Sequence, residues 1–75
     1  MKKFPALTAK EVIRKLKKTG FIFDRQAKGS HEIWWNPTTK RRTTIPNHPS
    51  TTIPKGTLKA ILISAGINLE DFMDL

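Results

Sequence analysis

Leu58, Ile61, Leu62 and Ala65 recur at i, i+3, i+4 and i+7, the spacing that lines one face of a helix, with Pro54 suited to its first turn and Gly66 to its end. A second helical pattern lies near the start. Thr8-Ala9-Lys10-Glu11 has the form of a capping box, Leu7 and Val12 can form its hydrophobic staple, and Val12, Ile13 and Leu16 share one side of a helix beginning at Ala9 and closed by Gly20. Between the helices the period changes to two. Phe21–Gln26 alternates so that Phe21, Phe23 and Arg25 share a face. Lys28-Gly29 then turns the chain, His31–Asn36 makes a second strand, Asn36-Pro37-Thr38-Thr39 turns again, and Arg41–Ile45 makes a third. Pro46 to Ile53 reads as a loop, and Asn68 can cap a last short helical turn carrying Leu69, Phe72 and Met73.

The order helix, three strands, helix predicts an α+β fold: a three-stranded antiparallel meander with two helices covering one face, and residues 1–75 as one domain. Adjacent tryptophans on a regular strand point to opposite sides. Ile33 and Trp35 share parity and outvote Trp34, so Trp34 is expected to face outward, free to stack on a base, fill a partner's pocket or pack over cationic stems. The same parity puts His31 on the Ile33 face, which would need a bulge at Gly29 or a late strand start to release it.

Charge changes the picture. Fourteen Lys and Arg face six Asp and Glu, a formal net charge of +8, and Glu70, Asp71 and Asp74 crowd the last six positions. The body of the chain is therefore more cationic than the whole. Lys10, Arg14, Lys17 and Lys18 form a stripe on the first helix that suits either solvent or phosphates. A basic surface of this kind attracts nucleic acid backbones in a salt-dependent way. There is no cysteine, and no apolar run nears the roughly 18 residues of a membrane span. The Met1-Lys2-Lys3 start leads into no secretory apolar stretch, so the cytoplasm is the expected location. A chain this short hides only about 60% of its unfolded surface, which favours chemistry on an exposed face.

Gly29-Ser30-His31 is the candidate for that chemistry, since an imidazole with a reference pKa near 6.5 exchanges protons close to neutrality. Cutting RNA without a metal needs a base for the 2′-hydroxyl and an acid for the departing 5′ oxygen. His31 is the candidate catalytic residue. Gly29 offers a positive φ or close approach of a substrate backbone, and Ser30 a phosphate contact or ordinary turn chemistry. Lys28 and Arg25 supply charge beside His31, although Arg25 shares parity with Phe23 and is expected to point partly inward. His48 is the other histidine, open to a role as second catalyst or plain loop residue. Lys55 and Lys59 can add cations, and Gly56 and Thr57 tight packing, at the amino end of the last long helix. No metal, membrane or small-molecule cofactor is expected.

Lys10–Leu16 followed by Gly20-Phe21, then Arg25-Gln26, Gly29-Ser30-His31 with Ile33, Ile45-Pro46 with His48, and Lys55-Gly56-Thr57-Leu58 leading through Ile61-Leu62 to Ala65-Gly66, in this order and spacing, resemble the HicA family of toxin ribonucleases. Departures are Trp34-Trp35, where one aromatic or polar residue is common, and Pro49-Ser50-Thr51-Thr52 in place of a more Gly- or Lys-rich loop. The resemblance implies a fold similar to the double-stranded RNA-binding domain. It also implies metal-independent cleavage of messenger RNA centred on His31, and neutralisation by a HicB-like antitoxin protein. The competing readings are a non-catalytic RNA-binding or ribosome-associated module, and a basic surface serving chiefly an acidic protein partner.

Overall fold

The capping box forms as the sequence predicts: in the computed structural model, which describes residues 5–48 and 52–75, Glu11 N–H donates to Thr8 Oγ1 at 3.3 Å and Thr8 N–H returns to Glu11 Oε1 at 3.1 Å. Those two bonds start α1, Ala9–Lys18. The Thr8 backbone N–H and then its hydroxyl hold the Glu11 carboxyl below its ordinary pKa. Three strands follow, β1 Ile22–Gln26, β2 His31–Asn36 and β3 Arg41–Pro46, in an antiparallel sheet of order β1-β2-β3. Then come α2, Lys55–Ala65, ended by Gly66 at φ 74°, and α3, Leu69–Met73, capped by Asn68 Oδ1 accepting from Asp71 N–H at 2.8 Å. Val12 and Leu16 of α1, Ile45 of β3, Leu58 of α2 and Phe72 of α3 meet in one core and are fully buried. The fold is the expected small α+β arrangement, the last helical turn included.

The tryptophans are exchanged relative to the alternation argument. Trp34 is buried and Trp35 is half-buried on the open face, beneath the Arg42 guanidinium at 4.5 Å and the Lys40 ammonium at 5.9 Å. Counting apolar residues misleads here because the core-facing parity of β2 carries two polar residues, Glu32 and Asn36, each satisfied by hydrogen bonds. Asn36 Nδ2 donates to the Thr19 carbonyl at 3.0 Å, while its Oδ1 accepts from Thr38 and Thr39 N–H. Glu32 accepts from Trp34 Nε1 at 3.2 Å. Buried Thr43 and Ile45 lie across from Trp34 and Glu32 and mark the same face of β3. Trp34 is thus no outward stacking ring. His31 follows Ile33 and Trp35 onto the open face and is exposed without any bulge at Gly29.

In β1 the register shifts between Phe23, opposite Trp34, and Arg25, opposite Ile33, so Asp24 is an extra residue. Such a bulge reverses the parity beyond it. Arg25 therefore leaves the face it was expected to share with Phe23. Its side chain is exposed and paired with Asp24 at 3.2 Å, and Asp24 also meets Arg42 Nε at 3.6 Å. Lys15 departs from the amphipathic pattern of α1: it is buried, its Nζ donating to the Leu75 carbonyl at 3.1 Å and the Met73 carbonyl at 3.4 Å, above the Phe72 ring. Of the loop between Pro46 and Ile53, Pro49, Ser50 and Thr51 lie outside the described residues.

Candidate functional site

Gly29 adopts φ 66° in the hairpin joining β1 to β2, a conformation that favours glycine, and among the described residues nothing beyond its chain neighbours lies within 4 Å of where a Cβ would stand. The turn is held from several sides. Gln26 Nε2 donates to the Gly29 and His31 carbonyls at 3.1 Å each, Ala27 N–H to the His31 carbonyl at 2.7 Å, and His31 N–H to the Lys28 carbonyl at 3.3 Å. At its far end the His31 ring contacts the same Lys28 carbonyl, with Nδ1 at 3.1 Å. A carbonyl only accepts, so Nδ1 carries the hydrogen in this contact and Nε2 of the neutral ring keeps its lone pair.

The β2–β3 ladder brings the second imidazole to this end of the sheet. His31 is the register partner of Pro46, Asn47 N–H donates to the Ser30 carbonyl at 3.0 Å, and His48 N–H donates back to Pro46 at 3.2 Å. Ser30 Oγ then lies 2.9 Å from His48 Nε2, donating or accepting according to the ring's tautomer. Asn47 is fixed independently, its Nδ2 donating to Glu32 Oε2 at 2.7 Å. Glu32 therefore bridges buried Trp34 and the segment that carries His48.

Both imidazoles line one open cleft of about 500 Å³, together with Thr44, Pro46, Thr52, Ile53, Pro54 and Thr57. The wall from Thr52 to Pro54 is set by Ile53 N–H donating to the Leu7 carbonyl at 2.7 Å and by the Thr8–Thr52 bridge. A neighbouring groove of about 780 Å³ is lined by Thr8, Lys10, Ile13, Arg14, Lys17, Asn47 and His48, so His48 belongs to both.

Of the residues singled out from the sequence, Gly29, Ser30, His31 and His48 come together. Lys28 contributes its carbonyl and extends its side chain into solvent; Arg25 stands on β1 outside the cleft lining; Lys55 opens α2 beside Pro54 and is exposed, also outside the lining. Gly56 does not serve tight packing among the described residues, since a Cβ there would meet none of them within 4 Å, whereas Thr57 lines the cleft. Glu32 and Asn47 were not found from the sequence, because their role depends on contacts between segments 15 residues apart. Among the described residues no three His, Cys, Asp or Glu side chains gather as a metal site, and no helix is long and apolar enough to cross a membrane.

Comparison with known families matches residues 9–67, the span from the start of α1 to just past Gly66, to a family described as the HicA toxin of bacterial toxin–antitoxin systems. No curated protein matches the chain.

Proposed function

This chain belongs to the HicA toxin family of bacterial toxin–antitoxin systems, and we propose that it is a metal-independent endoribonuclease that cuts messenger RNA in the cytoplasm, with His31 as general base and His48 as general acid. One observation carries the reading: the Lys28 carbonyl holds His31 Nδ1–H at 3.1 Å, which leaves Nε2 basic on an exposed ring in the cleft that His48 also lines. In the reaction His31 Nε2 takes the proton of a ribose 2′-hydroxyl. The 2′ oxygen bonds to phosphorus, the bond from phosphorus to the 5′ oxygen breaks, and His48 protonates that leaving oxygen. The products are a 2′,3′-cyclic phosphate and a 5′-hydroxyl end.

Ser30 orients the His48 ring, Gly29 keeps the bend free of side-chain bulk, and Lys28, Arg25 and Lys55 supply positive potential as the phosphate gains charge. A HicB-like antitoxin neutralises the toxin by covering the cleft and its charge together.

The test is cleavage of end-labelled RNA in excess EDTA. The wild-type chain is expected to leave cyclic-phosphate ends, and a folded His31→Ala chain to lose on the order of 100-fold or more in rate, the scale of a general base. Undiminished cutting by that variant removes His31 from the mechanism, and RNA binding without cutting by the wild type returns the chain to a binding module.

A further inference from the structure

Among the described residues, the groove beside the cleft is lined by three cations, Lys10, Arg14 and Lys17, and no carboxylate, while the adjacent Glu11 is turned back onto Thr8 in the capping box. Two exposed guanidiniums of the sheet are differently placed, since Arg25 and Arg42 both meet Asp24. Ile13 adds an apolar surface to the groove's lining, and His48, which lines it as well, also lines the cleft that holds His31.

We propose that this α1 groove is the track on which the RNA backbone lies as it enters the cleft, Lys10 and Arg14 each meeting a phosphate and His48 marking where the strand passes to the reacting bond. The proposal rests on the reading that the chain acts on RNA and adds where the strand runs. Lys10 and Arg14 are one helical turn apart, about 6 Å along the axis, so they present two charges on one face of α1 in a groove that His48 also lines. Lys17 has a second attachment, its ammonium lying 5.7 Å from the Trp34 ring centre, which makes the first two the cleaner probes.

The experiment compares Lys10→Gln/Arg14→Gln with a charge-matched pair off the groove, Lys18→Gln/Lys40→Gln, using a short fluorescent 2′-O-methyl RNA that cannot be cleaved by 2′-hydroxyl attack. Binding is titrated across a range of salt, and cleavage of the unmodified RNA is followed separately. The groove pair is expected to weaken binding several-fold at low salt and to flatten the slope of log K against log salt by about 1.4, or about 0.7 per lost phosphate contact on a single strand. In cleavage KM rises while kcat holds. The matched pair is expected to change the slope by less than half as much.

Equal effects from the two pairs would mean that only total charge matters, and the track is overturned. It is overturned equally if the groove pair binds RNA as the wild type does, including the case in which that pair instead weakens capture of an acidic protein partner. A wild-type chain that cuts no RNA yet loses binding through the groove pair alone would sink the catalytic assignment and leave the track standing.

Discussion

Ser30 Oγ stands 2.9 Å from His48 Nε2, joining the β1–β2 hairpin to the segment that follows β3. Sequence neighbours of His31 thereby hold the other imidazole. Under the proposed mechanism, His48→Ala lowers kcat by about 100-fold, in the range of a general acid, and abolishes the alkaline limb of the rate profile. Ser30→Ala, which keeps the imidazole but frees it, costs about tenfold, well short of that range, and retains both limbs. Single-turnover rates across pH distinguish the two; a Ser30 variant as slow as the His48 variant would make the hydroxyl part of the chemistry.

Glu32 predicts a coupled loss. Removing its carboxylate in Glu32→Ala leaves Trp34 Nε1 and Asn47 Nδ2 without their acceptor. The expected cost is about 1–3 kcal/mol of stability, which for a domain of this size lowers Tm by roughly 4–8 °C per kcal/mol. Activity measured well below Tm falls as well, because the segment bearing His48 loses its anchor.

Gly29→Ala separates backbone strain from contact. The left-handed φ costs a non-glycine residue about 1–2 kcal/mol, and with open space around the position no clash adds to it. Thermal melting is expected to show that loss alone. If RNA passes close over the turn, cleavage drops further than the melt explains, whereas activity following stability would restrict Gly29 to conformation.

Glu11 gives the fold an acid-sensitive feature. Its carboxyl titrates below the ordinary value because Thr8 hydrogen-bonds to the charged form, so the folded state binds this proton less readily than the unfolded one. The stabilisation is full above the ordinary value of 4.5 and disappears as pH falls from there through the lowered one. Glu11→Gln is expected to flatten the dependence of stability on pH below that point and to leave its neutral-pH shape alone, as denaturant melts at successive pH values would record.

Lys15→Ala tests the buried ammonium. The Met73 and Leu75 carbonyls lose their donor, and the expected cost is about 1–3 kcal/mol. Proteolysis at the carboxyl end should accelerate with it, since α3 is the element released.

Elements with local signals were legible in the chain. Thr8 and Glu11, Gly66 and Asn68 each act within a few residues, and β2 begins at His31 and ends at Asn36 as its composition indicates. The failures have a different origin. The alternation points Trp34 outward because Glu32 and Asn36 look like solvent-facing residues until their distant partners are known. It puts Arg25 on Phe23's face because a bulge has no dependable signature in five residues. At the site, Gly29-Ser30-His31 was readable as a turn with an imidazole, whereas the place of His48 came from the His31–Pro46 pairing, a relation between strands.

That bulge also bears on how the molecule behaves in a crowded cell. β1 is an edge of the sheet on which Ile22 and Phe23 are about half exposed, a strand that could recruit an identical strand from another copy and begin aggregation. The extra residue at Asp24 breaks the even spacing such docking requires, and the Asp24–Arg25 pair sets charge where an incoming strand would lie. Deleting Asp24 would straighten the border and remove that guard against strand-to-strand pairing between copies.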